Sequence, residues 1–287
     1  MATTAQPPVR FHDFTVPTHD GNHLAATFVE KTDQPANQVV VVCHGLLNTR
    51  YSRTVRTLAN GIPHNVCLFE FRGNGASTGT TRYTNYDEEA EDLRYVVQYL
   101  RNARHCQVRA LMGHSKGAAA VFLYTVKYND VPLVVDVAGR FDMTASPMLR
   151  FTKEQQRELD TKGECVWTLF GYGQDVPYIV TAADLAQRAH IDMSVVQQID
   201  FTRVQVLIAH GEEDEVVPVS EGRRFYEMMR RSPTYDPGSD CLTLAPLPHT
   251  GHVFSEPHEQ QALLAAVNAW LAKRWAQIEG PSLKEQA

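Results

Sequence analysis

The run Gln38–Gly45, QVVVVCHG, is nearly all valine. Successive side chains of a strand point to opposite faces, so an unbroken apolar run has both faces buried. That demands a sheet covered on each side. Comparable short runs follow at 66–71, 108–113, 133–138 and 204–209, with a weaker one at 241–245. Helical patterns lie between them. In 85–104, Leu93, Val96, Val97 and Leu100 recur at the spacing of one helix face. Gly117–Tyr128 reads as a helix of small residues, suited to close packing on a sheet. The stretches 222–231 and 257–277 complete the set, the last with a stripe of Leu263, Leu264, Val267, Trp270 and Leu271. Two opening strands, 9–16 and 23–30, flank THDG, a hairpin turn. The pattern predicts an α/β fold with a mostly parallel eight-stranded sheet flanked by helices.

One segment breaks the alternation. Between Gly139 and Val204 no core strand is evident, and 140–203 reads as short helices and loops. About 60 residues is long for a simple crossover. The expected organisation is therefore a core in two parts, 1–139 and 204–287, with 140–203 inserted over the strand ends. The insertion is rich in large apolar residues, among them Met143, Met148, Phe151 and Trp167.

Composition narrows the function classes. A formal charge of −6 argues against nucleic acid or an anionic membrane as partner. No 18-residue apolar stretch is present to span a bilayer, and the opening MATTAQPPVR lacks the apolar core of a secretory signal. The five cysteines are odd in number and form no Cys-x-x-Cys pair, which fits buried free thiols. These features together suggest a cytoplasmic protein.

The chemistry is read from ALMGHSKGAAAVF, 110–122. Its GHSKG core, Gly113–Gly117, sits where an apolar strand stops and a helix starts. Such a turn forces the serine into strained backbone, lifts its hydroxyl above the sheet, and leaves no room for side chains two residues away on either side. Ser115 is thus a candidate nucleophile; a plain structural turn is the alternative. A serine hydroxyl needs a base. His252, in LPHTGHVFSEP, lies between the last strand and the last helix, with His249 as its rival. The pair also has metal-ligand spacing, but no third ligand accompanies it, so no metal is expected. The histidine in turn needs a carboxylate. Asp214, in the acidic loop HGEEDEVVP after a buried strand, is the first candidate and Asp142 the second. Oxyanion donors would be the backbone N–H groups of Leu46, after the valine strand, and Lys116, after the serine. FRGNGASTG, 71–79, nearly matches a dinucleotide loop, but Thr78 stands at the third glycine position; no cofactor is expected, and Arg72 should make structural bonds.

Four landmarks in this order, CHG at 43–45, FRGNGASTG at 71–79, GHSKG at 113–117, and HGEEDEVVP with GHVF at 210–218 and 251–254, resemble the α/β-hydrolase superfamily. GHSKG, KYND at 127–130 and VAGRFDM at 137–143 are similar to the branch of feruloyl and cinnamoyl esterases and of serine aminopeptidase-like or monoglyceride lipase-like hydrolases. The resemblance implies a triad of Ser115, Asp214 and His252, oxyanion donors at Leu46 and Lys116, and a small helical cap at 140–203. It departs from the branch at Leu46, where the esterases often have an aromatic, and at Ala118, where glycine is common. The expected function is a cofactor-free serine hydrolase cleaving a small-molecule carboxylic ester, with an aromatic acyl group as one option. A peptidase or thioesterase with the same triad, or a non-catalytic binding protein on this fold, are the alternatives. For a peptidase, Glu154, Asp160 and Glu164 are candidates to bind a free amino terminus. Oligomeric state is not legible in the sequence.

Overall fold

In the computed structural model, which describes residues 9–144, 151–171 and 174–279, eight strands form one sheet. They are β1 (Val9–Pro17), β2 (His23–Lys31), β3 (Gln38–Cys43), β4 (Val66–Phe69), β5 (Gln107–His114), β6 (Leu133–Val137), β9 (Gln205–Gly211) and β10 (Leu242–Leu247). Their order across the sheet is β1-β2-β4-β3-β5-β6-β9-β10. The hairpin β1–β2 is antiparallel, and β2 meets β4 antiparallel; from β4 to β10 all pairings are parallel. The valine run behaves as its pattern requires. Val39, Val41 and Cys43 face one core, and Val40 and Val42 face the other, all fully buried.

Helices α1 (Arg53–Gly61) and α7 (Pro257–Glu279) cover the second of these faces, through Val55, Leu58, Leu263, Val267 and Trp270. Helices α2 (Tyr86–Asn102), α3 (Lys116–Tyr128) and α6 (Val219–Met229) cover the first, through Leu93, Val96, Ala120, Phe122 and Phe225. Each fully buried aliphatic or phenyl side chain contributes about 1.5–3 kcal/mol of transfer free energy. The five cysteines are free and buried. Among the described residues no helix is long and apolar enough to cross a membrane.

The segment between β6 and β9 differs from expectation. It holds α4 (Lys153–Lys162), a β-hairpin of β7 (Glu164–Gly171) and β8 (Gln174–Thr181), α5 (Ala182–Ala189) and a 3-10 turn, Met193–Gln198. The hairpin is antiparallel, with Trp167 opposite Tyr178 and Cys165 opposite Val180. Its alternation is plain in hindsight: Cys165 and Trp167 are buried, Val166 between them is half exposed. Helices α4 and α5 each begin with a reciprocal cap, Thr152 with Gln155 and Thr181 with Asp184. Phe151, Leu159, Cys165, Trp167 and Val180 form a small core that packs onto Tyr83 of the main body. Met148 lies outside the described residues, as does the start of the chain through residue 8.

Candidate active site

Ser115 stands between β5 and α3 with φ 56° and ψ −118°, a backbone conformation that a side chain seldom tolerates. The flanking glycines explain how the chain reaches it. A Cβ at Gly113 would lie 2.4 Å from the Gly117 carbonyl oxygen, and one at Gly117 would lie 2.4 Å from that of His44. The turn is so tight that only bare backbone fits at both places.

The structure brings His252 to this serine. Its Nε2 lies 3.0 Å from Ser115 Oγ, and its Nδ1 lies 2.7 Å from Asp214 Oδ2. Asp214 is fixed from the other side: its Oδ1 accepts the backbone N–H groups of Val216 at 2.9 Å and Val217 at 2.7 Å. His210 Nε2 donates to the Val217 carbonyl and stands 3.5 Å from Asp214 Oδ2. Burial pushes the Asp214 carboxyl up, but bonding to His210 and His252 outweighs it and holds the group well below the usual carboxylate range. Asp214 is therefore an anion at any physiological pH.

The two rivals lie elsewhere. His249 is on the surface beside Glu213, at 2.9 Å. Asp142 is paired with Arg224 at 2.8 Å. Glu154, Asp160 and Glu164 are all exposed, and none lines the cavity above Ser115. The loop 71–79 serves structure: Arg72 makes a forked pair with the buried Asp92 carboxylate, with bonds of 2.7–3.1 Å, and a Cβ at Gly75 would strike the Glu70 carboxylate at 2.3 Å.

Leu46 and Lys116 both line the cavity that holds Ser115 and His252. The loop before Leu46 is shaped by His44, whose Nε2 accepts the Phe71 N–H at 3.1 Å and whose Nδ1 donates to the Gly45 carbonyl at 2.7 Å. Burial lowers the His44 pKa to about 4, so this ring is a neutral brace.

Two features escaped the sequence reading. His114, next to the serine, is buried and its Nε2 donates to the His252 carbonyl at 2.8 Å. The histidine loop is tied further by Thr54 Oγ1 to the Val253 carbonyl and by Arg53 Nη1 to that of Ser255. The second is the Lys116 side chain. It turns inward to a buried pair with Glu89 at 2.6 Å, and also meets Asn85 Oδ1 and the Arg82 carbonyl. The only cue was a glutamate in the first turn of α2, ordinarily a solvated position.

The fold is shared widely. Esterase Pf2001 of Pyrococcus furiosus superposes with a TM-score of 0.67 at 18% identity, over 94% of this chain and 99% of its own. Est1E of Butyrivibrio proteoclasticus, a structure with ferulic acid bound, gives 0.72 at 16% identity, over 92% and 99%. A family model described as serine aminopeptidase, S33, matches residues 34–164. The chain has the α/β-hydrolase fold. By sequence the chain is similar to the uncharacterized protein YqkD of Bacillus subtilis, 25% identical over 76% of this chain and 68% of its own. A monoacylglycerol lipase of Mycolicibacterium smegmatis is likewise 25% identical, over 83% and 89%.

Proposed function

We propose that this chain is a serine esterase of the α/β-hydrolase superfamily that cleaves a small carboxylic ester through an acyl-enzyme. The observation that carries the reading is the continuous relay from Ser115 Oγ through His252 to Asp214, with contacts of 3.0 and 2.7 Å, set on a strained turn beneath a cavity. In this reading Ser115 attacks the ester carbonyl while His252 Nε2 takes its proton. Asp214 stays ionised, fixes the Nδ1–H tautomer and stabilises the imidazolium. The negative charge that develops on the carbonyl oxygen is met by the Leu46 and Lys116 N–H groups, where one such donor is worth about 3–4 kcal/mol. His252 then protonates the leaving alcohol, and water, activated by the same ring, releases the acid.

The segment 140–203 acts in this proposal as a cap. It supplies Met143, Trp167 and Arg188 to the lining, facing Tyr83 and Tyr86 of the main body. Three aromatic rings in one cavity suit an apolar or aromatic acyl portion. The esterase and lipase relatives support an ester substrate.

The family model's description favours a second reading, an aminopeptidase. Such an enzyme binds a free ammonium group, and no carboxylate is among the described residues lining the cavity. Purified protein should hydrolyse short p-nitrophenyl esters, take up a fluorophosphonate probe, and leave aminoacyl p-nitroanilides uncut. Loss of both activities in Ser115→Ala is expected; an alanine variant that turns over like the parent refutes the assignment.

A further inference from the structure

The cavity above Ser115 is cationic in a protein whose formal net charge is −6. Three basic side chains line it, Lys116, Arg140 and Arg188, and no described lining residue is acidic. Lys116 is neutralised locally by Glu89. Arg140 is not: among the described residues it makes no ion pair, and its Nη2 donates to the neutral Val216 carbonyl at 2.5 Å. The nearby acids are committed. Asp142 and Glu221 both face Arg224, and Glu221 also accepts the Phe141 and Asp142 N–H groups. Arg188 reaches in from α5, buried, with Nη1 on the Met143 carbonyl at 2.6 Å and its guanidinium 5.5 Å from the Tyr83 ring centre.

Arg140 and Arg188 line the same cavity. Burial pushes the Tyr86 phenol up, while Arg188, bonded to it, and the nearby charge of Arg140 pull it down. Tyr86 lines the same cavity as Ser115. Two partly desolvated guanidiniums with no lining carboxylate form a site for a planar anion, because a carboxylate accepts from such forks in pairs.

We propose that the cavity selects esters carrying a second, ionised carboxylate, held by Arg140 and Arg188 while the scissile carbonyl sits at Ser115. This deepens the esterase reading and rests on it. The preferred substrates would be half-esters of dicarboxylic acids or esters of hydroxy acids, depending on which side of the ester bond the charge lies.

The test compares matched esters. On the acyl side, the mono-p-nitrophenyl ester of adipic acid is set against p-nitrophenyl heptanoate. On the alcohol side, 4-acetoxybutanoate is set against butyl acetate. In at least one pair kcat/KM should favour the charged ester by about tenfold or more, the scale of a charge-assisted hydrogen bond. That ratio should fall to near one in Arg140→Gln and recover in part in Arg140→Lys. No preference in either pair, or a ratio that survives Arg140→Gln, overturns the proposal. Calorimetry with Ser115→Ala keeps the question separate from catalysis. Monomethyl adipate should bind at least about tenfold tighter than methyl hexanoate, and the gap should close on adding Arg140→Gln. If no ester is turned over, the esterase reading fails and calorimetry alone decides the anion site. Equal binding of the two esters then overturns it.

Discussion

His114 Nε2 donates to the backbone carbonyl of His252 across 2.8 Å. The residue before the serine thus fixes the main chain of His252, the proposed base. Burial holds this ring neutral, its pKa lowered to about 3, so the donor does not change state across the working range. Replacing it should shift the His252 loop without touching either reacting atom. His114→Ala is expected to lower kcat on a p-nitrophenyl ester by about ten- to a hundredfold, since small misplacements carry costs of that order. Circular dichroism should show a retained fold, and unchanged kcat would show that the loop is held by its other ties.

Lys116 and Glu89 form a buried pair at 2.6 Å, with side chains only 4% and 3% exposed. Burial raises the Glu89 pKa to about 7, with Lys116 pulling it down. Lys116→Met strands the carboxylate and should cost about 3–5 kcal/mol of unfolding free energy. Lys116→Met with Glu89→Leu should regain much of it. Urea melts at neutral pH measure both; equal loss in the single and double variants would show that the pair is not coupled.

Asp136, in the middle of the sheet, is buried, with Oδ1 accepting the Gly139 N–H at 2.8 Å and Oδ2 without a hydrogen-bond partner. Burial raises its pKa from 3.8 to about 7, against the opposing charge of His210. An acid whose folded pKa is raised binds more protons folded than unfolded between those values, so its contribution to stability is lost as pH rises from about 4 to about 7. Asp136→Asn should flatten this part of the stability profile and gain on the wild type by a few kcal/mol at most at pH ~8 relative to pH ~5. Parallel profiles for the two proteins would remove Asp136 as the cause.

The backbone of Ser115, at φ 56° and ψ −118°, stores strain that glycine does not feel. Such residues cost of the order of 1–3 kcal/mol. Ser115→Gly should therefore be more stable than Ser115→Ala by about 1 kcal/mol, while both lack esterase activity. Thermal melts of the two inactive variants compare the backbones with the hydroxyl removed from each. Identical melts would mean that the turn is unstrained.

Much of this architecture was legible because it depends on period and punctuation. The valine strand, the opening hairpin and the strand-to-helix glycines each leave a local mark in the chain. Over the β7–β8 hairpin the sequence predicts helix and loop, because one face of the hairpin is open to solvent at Val166 and Ile179, so no continuous apolar run announces its strands. Ser115, Asp214 and His252 could be proposed from spacing, whereas His114 and Glu89 could not. Their partners are 138 and 27 residues away in sequence, and the contacts follow from packing alone. The cationic lining was equally hidden, since Arg140 and Arg188 look like ordinary surface charges until the chain folds over the serine.

The pairing of β6 with β9 joins the parts of the chain that precede and follow the intervening segment. Ser115 hangs from the first part, and Asp214 and His252 from the second. On the proposed triad, a chain divided within residues 140–203 would yield two pieces, each inert, whose turnover would report their reunion: the β6–β9 seam would then serve as the junction of a split reporter enzyme.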